Sequence, residues 1–301
     1  MKKILSLLLS LMILSGGVYA NEKPELTVVM AGSVGGTFNK FNAQFVKDLE
    51  KYYDVKTIPG NSESKGYKIY QNITDRPVYV GVKSAFHSAI QKLQGKEQWV
   101  GDHTQHYWVL GAKFYRAVCV RNTDNVDTLF FGTNQKNKIA FTDGVDFGNK
   151  FIEKLNIQTK SANVMVPYNS SGKSVQGLIT GDLDITFVNE GTALKHWRDK
   201  NINCKYTSNP NGGNGLTPLH TKMDDPWVGF KLTYVMHGEV KNVSKEFAEE
   251  LNANIQEIMS DPNSYTSKRL KVTGWDPLVG DIKTITDDWR ETYNTAIKTL
   301  N

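Results

Sequence analysis

Gly172-Lys173-Ser174 has the form of the end of a phosphate-binding loop, where backbone amides cradle phosphates, the lysine neutralises them and the hydroxyl reaches magnesium. The loop is only half present. Its opening glycine falls on Pro167, which has no N–H and a fixed φ, and Tyr168 and Asn169 follow where a glycine-rich turn is needed. Nucleotide hydrolysis is therefore not expected. The pair His103-x-x-His106, beside Asp102, has the form of metal ligands, but no further ligand stands at a recognisable spacing, and no metal site is expected. Ser33, Ser84, Ser170 and Ser171 lie outside any Gly-x-Ser-x-Gly elbow, and no histidine follows an acid in the setting a hydrolase needs. No enzyme activity and no cofactor are expected, with a secreted hydrolase as the catalytic alternative. Cys119 and Cys204 sit in strand-like runs, Ala117 to Val120 and Ile202 to Tyr206. They are either one disulfide, closing a loop worth about 4 to 5 kcal/mol in the chain-entropy model, or two separate small core residues.

The compartment follows from the first 20 residues. Met1-Lys2-Lys3 is positive, Ile4 to Leu14 is apolar, and Gly16 to Ala20 ends in the small-x-small form of a signal-peptidase site. Residues 1–20 read as a secretory signal cleaved near Ala20, with an apolar core too short for a span of roughly 20 residues. Position 21 is Asn, so there is no lipid-attachment cysteine. A periplasmic protein is expected. Loss of Lys2 and Lys3 lowers the formal charge from +5 to +3, and no Lys/Arg block occurs, which argues against nucleic acid as a partner.

From Leu26 onward, short apolar runs alternate with helical patterns, the signature of a mostly parallel sheet covered by helices. Leu26 to Met30, Val55 to Ile58 and Pro77 to Val82 read as strands. Phe38, Phe41, Phe45, Leu49 and Tyr52 give one face of a helix, and Ala85 to Leu93 gives another. Tyr107 to Val120 has the length of a strand that leaves one lobe and enters a second. There the theme repeats, with strands at Lys138 to Phe141, Asn163 to Val166, Asp184 to Val188 and Asn201 to Tyr206. Trp227 to Met236 reads as the return. Phe247, Leu251, Ile255 and Met259 mark a helix ended by Asp261-Pro262, and Ile285 to Leu300 another, started by Thr286 or Asp287. The expected organisation is α/β in two lobes, residues 21–117 with 229–301 and residues 118–228.

Glycine-bearing turns at Gly32 to Thr37, Thr142 to Gly144, Tyr168 to Gly172 and Asn189 to Gly191 each fall at the carboxyl end of an expected strand. Open α/β sheets bind ligands there, and helix N-termini offer unpaired N–H groups to an anion.

The stretch VPYNSSGKSVQGLITGDLDITF, Val166 to Phe187, resembles the VPY…L-x-x-G-x-x-D-x-x-F segment of the solute receptors of tripartite tricarboxylate transporters (TctC/Bug-like proteins). The Gly35-Gly36-Thr37 turn, Trp227-x-Gly229-Phe230 and Arg269-Leu270-x-x-x-Gly274-Trp275-x-Pro277 follow in the same order, so the resemblance runs through most of the chain. It implies a two-lobe type II periplasmic-binding-protein (Venus-flytrap) fold that captures a small solute, often a carboxylate, between its lobes. It also implies delivery to membrane permease subunits, and a monomer is expected. On this reading Ser33, Gly35, Gly36, Thr37 and Ser84 face the solute from one lobe. Thr142, Asp143, Gly144, Ser170, Ser171 and Asn189 face it from the other. Asp143 and Glu190 lie in or beside the proposed cleft loops. They cap helices, point to solvent, or meet an ammonium group, so an amino acid or other amine-bearing solute stays open.

Overall fold

The computed structural model describes residues 22–32, 36–93, 95, 106–141, 145–168, 170–223 and 234–300. Two six-stranded mixed sheets carry the fold. The first contains β1 (Glu25–Met30), β2 (Asp54–Pro59), β3 (Val78–Ser84) and β4 (His106–Phe114). β11 (Tyr234–Lys241) and β12 (Trp275–Pro277) return to it, giving the order β12-β4-β11-β3-β1-β2. The second contains β5 (Arg116–Arg121), β6 (Lys138–Phe141), β7 (Val164–Pro167), β8 (Ile185–Asn189), β9 (Ile202–Thr207) and β10 (Thr217–Pro218). Its order is β10-β9-β5-β8-β6-β7.

Leu26, Val28 and Val29 are wholly buried, as a strand covered on both faces requires. One cover is α1 (Thr37–Leu49), which buries Phe41, Phe45 and Leu49 at four-residue spacing. α2 (Glu63–Asn72) and α3 (Ala85–Leu93) follow β2 and β3. α8 (Lys245–Ser260) buries Leu251, Ile255, Ile258 and Met259 and stops at Asp261-Pro262. α9 (Tyr265–Thr273) packs on α1, and α10 (Ile282–Leu300) packs on α3 and β4. Around the second sheet lie α4 (Val126–Phe131), α5 (Val145–Thr159), α6 (Ser171–Thr180) and α7 (Glu190–Arg198). Its core is aromatic: the rings of Phe141 and Phe187 stack at 4.4 Å, with Phe130 and Phe151 against Phe187 at 5.5 and 4.9 Å.

Cys119 and Cys204 stand opposite each other on β5 and β9 and form a disulfide, with Cα atoms 4.1 Å apart. Both lie in the core of the second sheet, so the two readings of these cysteines resolve to a bond between core residues.

Several elements differ from the sequence expectation. The run Tyr107 to Val120 is two strands in different sheets, broken at Tyr115. The return strand begins at Tyr234 and continues to Lys241, while Trp227, Gly229 and Phe230 lie outside the described residues. α10 starts at Ile282, one turn before Thr286. Its first turn is capped by Asp281, which accepts from Thr284 N at 2.7 Å and Thr284 Oγ1 at 2.7 Å.

Candidate functional site

Strand direction orients the two sheets relative to the crossover between them. β1, β2 and β3 are parallel, and β4 runs with them because β11 is antiparallel to both β3 and β4. β6, β7 and β8 are also parallel, while β5 runs against β8 and pairs Arg116 with Asn189. Tyr115 alone separates β4 from β5. The carboxyl ends of both parallel sets are therefore turned toward the same crossover, the position at which open α/β sheets hold ligands.

On the first sheet's side, α1 begins at Gly36, which supplies no side-chain cap, and no acid lies in the first turn. Among the described residues its leading N–H groups have no side-chain cap, and the positive dipole end lies behind them. Thr37 opens the helix and is half-buried. Phe38 anchors the same turn, its ring 5.5 Å from Phe114 and 5.4 Å from Trp275 beside the crossover. Gly32 has φ +114°, and a Cβ there would press on the backbone N of Asn39 at 3.2 Å, so the glycine lets the loop close on the helix start. Ser33 and Gly35 lie outside the described residues. Ser84 ends β3 as expected of its position.

Asn42 completes this side and escaped the sequence reading. It is wholly buried in α1, donates Nδ2 to Ala31 O at 3.1 Å, and so ties the end of β1 to the helix. Its Oδ1 has no hydrogen-bond partner among the described residues and lies against Gly81 of β3, where a Cβ would approach it to 2.3 Å. A polar residue within the stripe of Phe38, Phe41, Phe45 and Leu49 was the available signal.

On the second sheet's side, Ser170 caps α6 by accepting from Lys173 N at 3.3 Å. Lys173 and Ser174 thus belong to a helix start. Ser171 Oγ accepts from Asn189 N at 3.4 Å, which joins the α6 turn to the end of β8. Asn189 turns its own side chain inward, its Oδ1 accepting from Gly191 N at 3.1 Å as the cap of α7. Ser170, Ser171 and Asn189 therefore come together. Thr142, Asp143 and Gly144 lie outside the described residues. No acid lies in the first turn of α6.

Glu190 is buried and faces neither solvent nor an open cleft. Its carboxylate accepts from Thr207 Oγ1 at 2.5 Å and Asn214 Nδ2 at 3.0 Å, while its backbone N–H donates to Tyr115 O at 2.9 Å. Thr207 and Asn214 were not legible as its partners, because both are distant in sequence and one sits in the Gly/Asn-rich loop. Burial, a hydrogen bond to Asp276, and the charges of Asp276 and Glu190 push the Tyr115 hydroxyl well above its usual range. It stays protonated and able to donate. Of the metal candidates, His106 Nδ1 pairs with the buried carboxylate of Glu239 at the start of β4, and His103 and Asp102 lie outside the described residues.

No protein-family model matches the sequence, and no curated protein matches it. Solved structures do match, and they define the class: this is a two-lobe type II periplasmic-binding-protein fold. A TctC solute-binding protein from Polaromonas superposes with a TM-score of 0.67 at 13% identity, over 94% of this chain and 99% of that one. MatC from Rhodopseudomonas palustris, solved with bound malate, gives 0.62 at 14% identity over 93% and 99%. A second R. palustris protein, solved with adipate, gives 0.67 at 13% identity over 94% and 98%. The chain has the fold of the TctC/Bug solute receptors along nearly its whole length.

Proposed function

We propose that this chain is an extracytoplasmic solute receptor that closes two lobes on a small carboxylate and presents it to membrane permease subunits. The lobes of this reading are residues 21–117 with 229–301 and residues 118–228, a boundary two residues past Tyr115, where β4 of the first sheet gives way to β5 of the second. One observation carries the reading. The N-termini of α1 and α6, from opposite sheets and both free of acid in the first turn, stand at strand ends turned to one crossover. Such a pair suits a ligand with negative charge at both ends. The fold shared with receptors solved with malate and adipate supports it. Ser33, Gly35, Gly36, Thr37 and Ser84 contact the solute from the first lobe, and Thr142, Asp143, Gly144, Ser170 and Ser171 from the second. Asn189 contributes as the support of the Ser171 turn.

The disulfide supports export, since such bonds persist in oxidising compartments. The signal segment 1–20 directs the chain there, and N-terminal sequencing of the exported protein should start near Asn21. The amine-bearing alternative now depends on Asp143, because Glu190 is held by Thr207 and Asn214. A thermal-shift panel of succinate, malate, glutarate, adipate, amino acids and neutral sugars tests the class. A bound solute raises stability by RT ln(1 + [L]/Kd). Dicarboxylates should shift the transition and the others should not. A shift with amino acids alone favours the amine reading, and no shift with any solute contradicts the receptor reading.

A further inference from the structure

α9 spans from the helix that opens the first-lobe site to the second sheet's unit. At its start, Asp48 of α1, wholly buried, accepts from Thr266 N at 2.7 Å, Thr266 Oγ1 at 2.8 Å and Tyr265 N at 3.3 Å. A carboxylate taking three hydrogen bonds at a helix N-terminus is a strong joint. At its other end, Gly274 terminates α9 in the left-handed conformation, and the carbonyl of Thr273 lies against Gly191 in the first turn of α7. A Cβ on Gly191 would stand 2.3 Å from Thr273 O, 2.5 Å from its carbonyl carbon and 2.7 Å from its Cα. The negative end of one helix thus meets the positive end of another at backbone contact. One residue before Gly191, Glu190 N–H donates to Tyr115 O at the crossover itself.

We propose that Thr273 and Gly191 form the pivot on which the lobes close, and that Asp48 holds α9 so that α1 and the pivot move as one body. This rests on the receptor function proposed above. Gly191 is then a positioning residue: it touches no solute, yet its missing side chain sets how closely the lobes can approach. Alanine at 191 would force the Thr273 backbone to retreat by about 1 Å to reach ordinary van der Waals separation. A displacement at the pivot is magnified toward the mouth of the cleft. The closed state would lose population, and apparent affinity falls with the fraction that remains competent.

The test compares wild type, Gly191→Ala, Asp48→Asn and Val272→Ala, the last on the exposed face of α9, by small-angle X-ray scattering and calorimetric titration with succinate and glutarate. Gly191→Ala should have a larger ligand-free radius of gyration than wild type, contract less on addition of the dicarboxylates, and bind about tenfold more weakly or worse. Val272→Ala should match wild type. Asp48→Asn should weaken closure in the same direction with α7 untouched, and it carries the test should Gly191→Ala not fold. If Gly191→Ala, or in its place Asp48→Asn, scatters and titrates like wild type, the pivot is wrong. If wild type binds neither dicarboxylate, the receptor reading suffers, while the ligand-free scattering of Gly191→Ala still decides the pivot: expansion upholds it and an unchanged radius overturns it.

Discussion

Nε2 of His237 lies 3.1 Å from Oδ2 of Asp288, joining the middle of β11 to α10 beneath the stacked rings of Trp108 and Trp289. His237 is wholly buried, its Nδ1 has no hydrogen-bond partner among the described residues, and Lys113 approaches the same carboxylate at 3.7 Å. Burial outweighs the attraction of Asp288 and holds the imidazole below its usual pKa, so it is neutral in the fold at pH 7. Asp288 in turn is held below the usual carboxylate range by His237 and Lys113 despite its own burial.

A depressed histidine pKa means that the unfolded chain binds the extra proton first. The stability contributed is full above the unfolded pKa near 6.5 and is lost as pH falls below it, with a limiting slope of about 1.4 kcal/mol per pH unit. His237→Gln keeps an N–H for Asp288 and cannot titrate. Urea unfolding between pH 7 and pH 5 should show a shallower decline for His237→Gln than for wild type. Equal slopes would show that His237 is not the group responsible.

The Cys119–Cys204 bond closes a loop of 85 residues in sequence separation, worth about 4 to 5 kcal/mol in the chain-entropy model. Both cysteines are buried within the second sheet, in mid-strand rather than at the strand ends where Arg116 pairs with Asn189. The Cys119→Ala/Cys204→Ala protein should lose about 2 to 4 kcal/mol in denaturant titration while keeping its dicarboxylate affinity within a few fold. A large loss of affinity in protein that remains folded would place the bond in the binding apparatus.

Asn42 and Gly81 constrain each other. Gly81→Ala drives a Cβ against Asn42 Oδ1, and Asn42→Ala removes both that clash and the tie to Ala31 O. Each single change should cost about 1 to 3 kcal/mol. The double change should cost less than their sum, because it relieves the clash. Strict additivity in the double-mutant cycle would mean that the two side chains do not meet.

Glu190→Gln retains one acceptor and one donor where Thr207 and Asn214 approach. It should lower stability by about 1 kcal/mol or more without changing the order of preference in the solute panel. A switch toward or away from amines on this substitution would return Glu190 to the solute's contacts.

Much of this architecture was legible because apolar periodicity is strong where a strand or helix faces a core on its own terms. Leu26 to Met30, the Phe41-Phe45-Leu49 stripe and the Leu251-Ile255-Met259 stripe all read directly. β11 did not, because His237, Glu239 and Lys241 put polar side chains into a buried strand. They pair with Asp288, with His106 and with Gln71 O, contacts that no local pattern contains. α9 was missed for a related reason: its buried face is Thr266, Leu270 and Thr273, two of them threonines, so its apolar stripe is faint. Within the site, the caps at Ser170 and Asn189 follow from local sequence. The partners of Glu190 and Asn42 depend on tertiary folding.

Calorimetric titration of wild type and Gly36→Val with succinate, malate, glutarate and adipate tests the central claim most directly. The α1 N-terminus can meet a carboxylate only if the backbone at Gly36 is approachable. The expected result is saturable one-to-one binding of at least one dicarboxylate by wild type, with affinity reduced at least about a hundredfold in Gly36→Val although the variant remains folded. Undiminished binding by Gly36→Val, or no binding of any dicarboxylate by wild type, would contradict a carboxylate held between the lobes at the α1 turn.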